Sequence, residues 1–266
     1  MDLRQHLVYW MVGRFYNYLS SRDRHGKLTF MNFGFASAES EINSTHAGAP
    51  DPEVRRKALY WTVANSIGAN GWDWRQKDVL EVGSGRGGGA DYLMARLKPR
   101  SYRGIDLSAR AIKFCQDRHS HPGLTFSQGN AEALEFPGRS FDVVINLESS
   151  HCYPRMLKFL QEVDRVLRPR GYLLLADFRR RVGVASLHRY LQNSGLVEIS
   201  RQDITENVLA ALRLDSAANL ALIQQYVPWW LHWLFRPFAG VENSGMPESF
   251  ASGERVYLSF VYQKPA

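Results

Sequence analysis

The stretch Val79-Leu80-Glu81-Val82-Gly83-Ser84-Gly85-Arg86-Gly87-Gly88-Gly89 leads from an apolar run with one acid into five glycines within seven residues. The apolar residues suit a central strand of a parallel sheet. Gly83 and Gly85 let the backbone turn sharply and approach a ligand with no Cβ in the way. Ala90, Leu93, Met94 and Leu97 then recur at helical spacing, so the turn passes into an amphipathic helix whose N-terminus faces that ligand. Taken alone, the GxGxxG spacing of Gly83, Gly85 and Gly88 leaves dinucleotide binding and an ordinary glycine-rich turn equally open.

Working outward, strand and helix patterns alternate. Strands are predicted at 101–106, 124–129, 141–147, 171–177 and 196–203, with a last one at 255–264. Ser108 is an N-cap candidate for a helix to about Arg118. Met156, Phe159, Leu160, Val163, Val166 and Leu167 mark another, stopped by Pro169, and a third is expected at 185–194. This rhythm predicts an α/β fold: a doubly wound, Rossmann-like, seven-stranded sheet of parallel strands and right-handed crossovers, with ligands at the strands' C-terminal ends. Residues 1–30 suggest a helix outside the sheet, and the polar stretch 37–52 a mobile lid. Pro50 and Pro52 discourage a helix before Glu53; 53–67 reads as one, followed by the turn Asn70-Gly71. Residues 205–252 break the pattern: helical from 205 to about 235, then a loop with Pro247 and Gly253.

With 266 residues, 45% of them hydrophobic, the chain can bury the core of one large domain. A net charge of +7 raises nucleic acid, an anionic membrane or an acidic carrier as partners. Basic residues are nevertheless spread along the chain, Arg179-Arg180-Arg181 being a tight run, with no interleaved aromatics, so nucleic acid is not expected. No secretory signal is visible. The apolar stretch 226–235 is about half a bilayer span and is interrupted by His232. Cys115 and Cys152 have neither zinc nor disulfide spacing, so no metal is expected and a reducing cytoplasm fits.

Asp106 ends the second strand, where a carboxylate can accept both hydrogen bonds of a ribose diol; an acid there is also a common helix cap. Glu81 stands two residues before the first glycine, where a dinucleotide fingerprint stays apolar, and an acid can help hold an ammonium group. Gly129-Asn130-Ala131-Glu132 ends the third strand, where an amide could reach an adenine amino group. Glu81 together with Asn130 speaks against a nicotinamide-dependent dehydrogenase.

This set resembles the class I S-adenosylmethionine-dependent methyltransferases, whose motifs residues 78–178 match in order. The resemblance implies S-adenosyl-L-methionine as cofactor, with Glu81, Gly83, Ser84 and Gly85 around its methionyl part and Asp106 on the ribose. Leu107 would lie against adenine, Asn130 and Ala131 at the adenine edge, and Asn146 would be a backbone contact. The family commonly has aspartate at position 130; the amide keeps an acceptor oxygen, so binding is expected to survive. It also implies three parts to a single domain: a helical lid region at 1–75, a cofactor-binding core at 78–203 and a helical substrate cover at 205–252.

Within that superfamily, Ser150-His151-Cys152-Tyr153-Pro154, Gly87-Gly88-Gly89-Ala90 and Ala176-Asp177-Phe178 resemble enzymes that methylate hydroxyls of polyketides and glycolipids, phthiotriol-type methyltransferases among them. Asn32-Phe33-Gly34-Phe35 resembles their aromatic lid. The implied substrate is a hydrophobic natural product, with Phe35 and Tyr153 near it; a methyltransferase fold performing polyketide cyclisation is the alternative. His151 lies just past the fourth strand and Asp177 at the end of the fifth, so both can face one crevice as general base and orienter. Direct displacement needs no thiol, and Cys152 reads as packing. Trp229, Trp230 and Trp233 cannot all share one narrow helical stripe and are expected to cover an apolar substrate or touch a membrane surface.

Overall fold

The computed structural model describes residues 28–37, 51–68 and 72–266. The helix expected within 1–30, most of the lid and the Asn70-Gly71 turn lie outside them. Seven strands form one sheet in the order β3-β2-β1-β4-β5-β7-β6: β1 Asp78–Val82, β2 Ser101–Asp106, β3 Leu124–Gln128, β4 Phe141–Leu147, β5 Leu167–Arg180, β6 Val197–Asp203 and β7 Arg255–Gln263. It is the Rossmann-like sheet expected. β1 lies between β2 and β4, with Val79 beside Tyr102 and Val143. Successive β1 residues feed opposite layers: Val79 packs with Leu59 and Leu93, Leu80 with Phe159, Leu160 and Val163. That burial on both faces is why the strand reads as apolar apart from Glu81.

One expectation is corrected by β7, which is antiparallel to both β5 and β6. The chain therefore leaves β6 at Asp203 and re-enters at Arg255 at one end of the sheet, the end where β5 also stops, beside Arg180. An antiparallel return needs no crossover along the sheet. The intervening 51 or so residues stay at the ligand-binding end.

The helices are α1 Pro52–Asn65, α2 Gly88–Leu97, α3 Ala109–Arg118, α4 Met156–Val166, α5 Arg181–Gln192, α6 Thr205–Tyr226, α7 His232–Phe235 and α8 Met246–Ala251. Three departures have local causes. Pro52 starts α1 rather than preceding it, because proline's missing N–H is harmless in a first turn and the Asp51 carboxylate accepts from Glu53 N at 2.9 Å. The helix expected to reach about 235 ends at Tyr226, since Pro228 cannot donate to the preceding turn, and a 3-10 turn at Trp229–Leu231 separates it from α7. A short helix, α8, replaces the loop around Pro247; Glu248 accepts from Gly245 N at 2.7 Å and closes its first turn.

A buried ion pair joins the cover to the body: Arg55 of α1 donates from Nε to Asp215 of α6 at 2.8 Å, and both side chains are about fully buried. Arg56 donates to Asn219 Oδ1 at 2.7 Å one turn further along α6. Among the described residues, no helix is long and apolar enough to cross a membrane.

Candidate active site

At the C-terminal ends of β1, β2 and β4 lies a cavity of about 490 Å³, within the roughly 300–1,000 Å³ span of small-molecule and cofactor sites. Its floor is the glycine turn. Gly83, Gly85 and Gly87 have φ of +80°, +53° and +77°, values that L side chains rarely adopt. A Cβ on Gly83 would stand 2.0 Å from Ser149 Oγ, and one on Gly89 1.9 Å from the Tyr60 ring, so packing demands glycine at both. Gly85 differs. A Cβ there would meet nothing nearer than Met31 Sδ at 3.7 Å, so its backbone is bared to the cavity.

Asp106 lines the same wall. Its carboxylate accepts from Gly85 N at 2.9 Å and Ser108 N at 2.8 Å, ties that fix it toward the turn. Burial raises its pKa against the pull of those two backbone donors. Leu107, 72% exposed, offers an apolar face to the cavity, and the buried Ser84 Oγ there has no hydrogen-bond partner among the described residues. A bared glycine backbone, a fixed carboxylate, an apolar platform and an unspent hydroxyl fit a nucleoside-bearing cofactor.

Glu81 stands behind this wall and does not line it. Its two oxygens accept from Tyr60 OH at 2.8 Å and Tyr102 OH at 2.9 Å, and burial pushes its pKa up to about 7. It holds Tyr60, which does line the cavity. Asn130 and Ala131 are likewise outside the lining; Asn130 Oδ1 accepts from Glu132 N in a local turn. Asn146 is fully buried and donates to Val82 O at 2.8 Å and Tyr153 OH at 2.9 Å, bracing the ends of β1 and β4. Tyr153 is held in that brace, with Ser149 Oγ 2.7 Å from its hydroxyl.

The opposite wall carries His151. Its Nδ1 lies 2.8 Å from Asp177 Oδ1, its backbone N donates to Asp177 Oδ2 at 2.8 Å, and its ring, 28% exposed, lies 4.4 Å from the Phe178 ring between centroids. Asp177 also accepts from Ser150 Oγ at 2.7 Å and Phe178 N at 2.8 Å, and pairs with Arg179 at 3.0 Å. Burial opposes charge on both partners. On Asp177 the His151 and Arg179 charges overcome it and drive the pKa down; on His151 burial is outweighed by Asp177, with a contribution from Cys152, and the pKa rises. Nδ1 faces Asp177, and the neighbouring Cys152 side chain also hydrogen-bonds the ring. Cys152 also lines the cavity, and neither it nor Cys115 is in a disulfide.

Glu148 is the functional candidate that the sequence reading passed over. It directly follows β4, at φ +47°, and lines the cavity. Its Oε1 accepts from Phe33 N at 2.9 Å and Tyr257 OH at 3.0 Å, while burial pushes its pKa up to about 8. An acid immediately after an apolar strand was the available signal. Phe33, rather than Phe35, lines the cavity: Gly34, at φ +83°, turns the chain, and Phe35 N donates to Arg55 O against the body. Trp229, Trp230 and Trp233 are 82%, 58% and 72% exposed and do not line it. Phe238 and Met246 supply the cover's contacts instead.

Residues 80–175 match the family described as a methyltransferase domain. A phthiotriol/phenolphthiotriol dimycocerosates methyltransferase of Mycobacterium leprae is 36% identical over 258 residues, covering 97% of this chain and 93% of that protein. A fatty-acid O-methyltransferase of Mycolicibacterium smegmatis is 34% identical over 253 residues, 94% of this chain and 89% of its own length. Among solved structures, the cyclase SpnF superposes with a TM-score of 0.69 at 17% identity, over 96% of this chain and 95% of that one, a likeness of fold alone.

Proposed function

We propose what this chain methylates from the premise that it belongs to the S-adenosylmethionine-dependent methyltransferases, with S-adenosyl-L-methionine as methyl donor: a hydroxyl of a long-chain lipid or polyketide-derived natural product. The relatives' names point to lipids, and the cavity wall of Phe33, Phe178, Phe238 and Met246 is suited to an apolar chain. The observation that carries the hydroxyl is His151 on that wall, backed by the buried Asp177.

The bound donor supplies a methyl group activated by sulfonium charge. Gly85 would lie along its methionyl part, Asp106 on the ribose diol and Leu107 against the base. An alcohol is a poor nucleophile until its proton is removed, and His151 Nε2 is the group that takes it. Asp177, held by four other donors, keeps Nδ1 protonated and stabilises the imidazolium formed. Phe178 fixes the ring from its face.

The test is incubation of the protein and donor with matched long-chain lipids bearing a secondary hydroxyl, a carboxyl or neither, followed by mass spectrometry. Gain of one methyl by the hydroxyl compound alone is the expected result. Methylation of the carboxyl compound alone would move the acceptor to an acid, and a rearranged product of unchanged mass would replace transfer with cyclisation.

A further inference from the structure

Trp229, Trp230 and Trp233 stand within five residues of one another, each more than half exposed, just after Pro228 ends α6. Indole combines an apolar body with one N–H donor, a combination suited to a boundary between hydrocarbon and polar headgroups. The inner side of this same turn has a different task. Phe235 is buried with Ile223, Val227 and Val241, so the segment is anchored to the protein while its indoles face out.

Two further observations identify what they meet. A smaller cavity of about 110 Å³ lies beneath the segment, where Ile223, Val227 and Phe235 line it, and it shares Phe30, Met31, Asn32, Phe33, Arg86 and Phe238 with the large cavity. A mainly apolar lining, with Asn32 and Arg86 at the junction, thus continues from the candidate active site to the underside of the tryptophan turn. The charge pattern is also one-sided: from Ser216 to Val241 the sequence has no aspartate, glutamate or lysine and one arginine, the half-buried Arg236, in a chain of net charge +7. Such a surface complements an anionic bilayer.

We propose that the turn at Trp229–Phe235 is a membrane-docking surface for a phospholipid bilayer with anionic headgroups, the indoles entering the headgroup layer and the smaller cavity opening a path for a lipid chain toward the large one. The passage of a lipid chain rests on the lipid reading above; the docking does not.

The experiment is flotation of the full-length protein with vesicles of phosphatidylcholine, with and without phosphatidylglycerol, comparing wild type with the triple variant Trp229→Ser, Trp230→Ser, Trp233→Ser. Wild type should bind the anionic vesicles, more weakly as salt is raised, with indole fluorescence quenched by lipids brominated on their acyl chains. The triple variant should bind them about tenfold less or weaker. Because these side chains lie outside the core and the cavity, the variant should keep its donor affinity, and its transfer to detergent-dispersed substrate should match wild type. Equal binding by wild type and variant would overturn the proposal, as would wild type that floats with neither vesicle. A wild-type dimer that the substitutions dissociate, without vesicle binding, would give the surface to a second copy of this chain. Vesicle binding is read without any methyl acceptor, so a failed search for the substrate leaves this result standing.

Discussion

At the glycine turn, Gly83, Gly85 and Gly87 set the backbone from within five consecutive residues, whereas the cover at 205–252 is held by Arg55 on Asp215 and Arg56 on Asn219, partners 160 and 163 residues away. The first region is dictated by φ angles and close approaches that only glycine tolerates. The second takes its position from side-chain pairs between residues far apart in the sequence. The turn can therefore fix a ligand's place closely, while the cover can change its exposed face without disturbing the floor.

The largest expected effect breaks the chemistry and spares both regions. His151→Ala should lower turnover by about 10²- to 10⁴-fold, or roughly 3–5 kcal/mol of transition-state stabilisation, with donor affinity measured by calorimetry unchanged. Asp215→Ala comes next, because it removes the carboxylate from a buried guanidinium; about 3 kcal/mol or more of stability should be lost on denaturation. Hydrogen exchange should then quicken in 205–226 before it does in 78–106. Equal quickening in both would mean that floor and cover are one cooperative unit.

Asp106→Ala acts on the floor alone and should weaken donor binding by about 1.5–3 kcal/mol, the range for hydrogen bonds involving a charged group. Unchanged affinity would place the donor away from the turn. The effect smallest per pH unit concerns two buried acids, Glu81 beneath the floor and Glu148 against Phe33 and Tyr257. Their folded pKa values are raised to about 7 and about 8, so above the ordinary carboxylate range the folded state holds protons that the unfolded chain has released. Stability should therefore fall as pH rises from about 5 to about 8, by at most about 1.4 kcal/mol per pH unit for each group. His151, with its own raised pKa, adds a loss of the same sign above its ordinary value. Chemical denaturation across that window checks the sign, and Glu81→Gln should flatten part of the slope.

The same contrast explains what the sequence disclosed. Strands 101–106 and 141–147 coincide with β2 and β4: β4 is marked by its buried apolar run, while β2, with Arg103 exposed, is marked by its place just before the helix that Ser108 caps. Asp106 and His151 could be placed at the cavity because they sit at ends of such strands. β7's direction was not legible, since an antiparallel and a parallel inner strand are equally apolar. Nor was the burial of Glu81 behind the wall, which depends on the hydroxyls of Tyr60 and Tyr102. In the cover, aromatic content marked a special surface but not its direction: Pro228 ends α6, Phe235 turns in and the three tryptophans turn out. Phe238 and Met246, which do reach the cavity, follow no periodic pattern.

The central claim is that His151, oriented by Asp177, takes the proton from the attacking hydroxyl. Its most direct test is the pH dependence of kcat/KM for wild type and His151→Ala on one lipid alcohol. Because Asp177 holds the imidazole in its charged form above the ordinary pKa of about 6.5, the base form is the minor one at neutral pH. The wild-type rate should climb with pH through an ionisation displaced to the alkaline side of that value, and the variant should be slow and lack that limb. The same rising limb in both proteins, or near-normal turnover by the variant, would contradict the assignment.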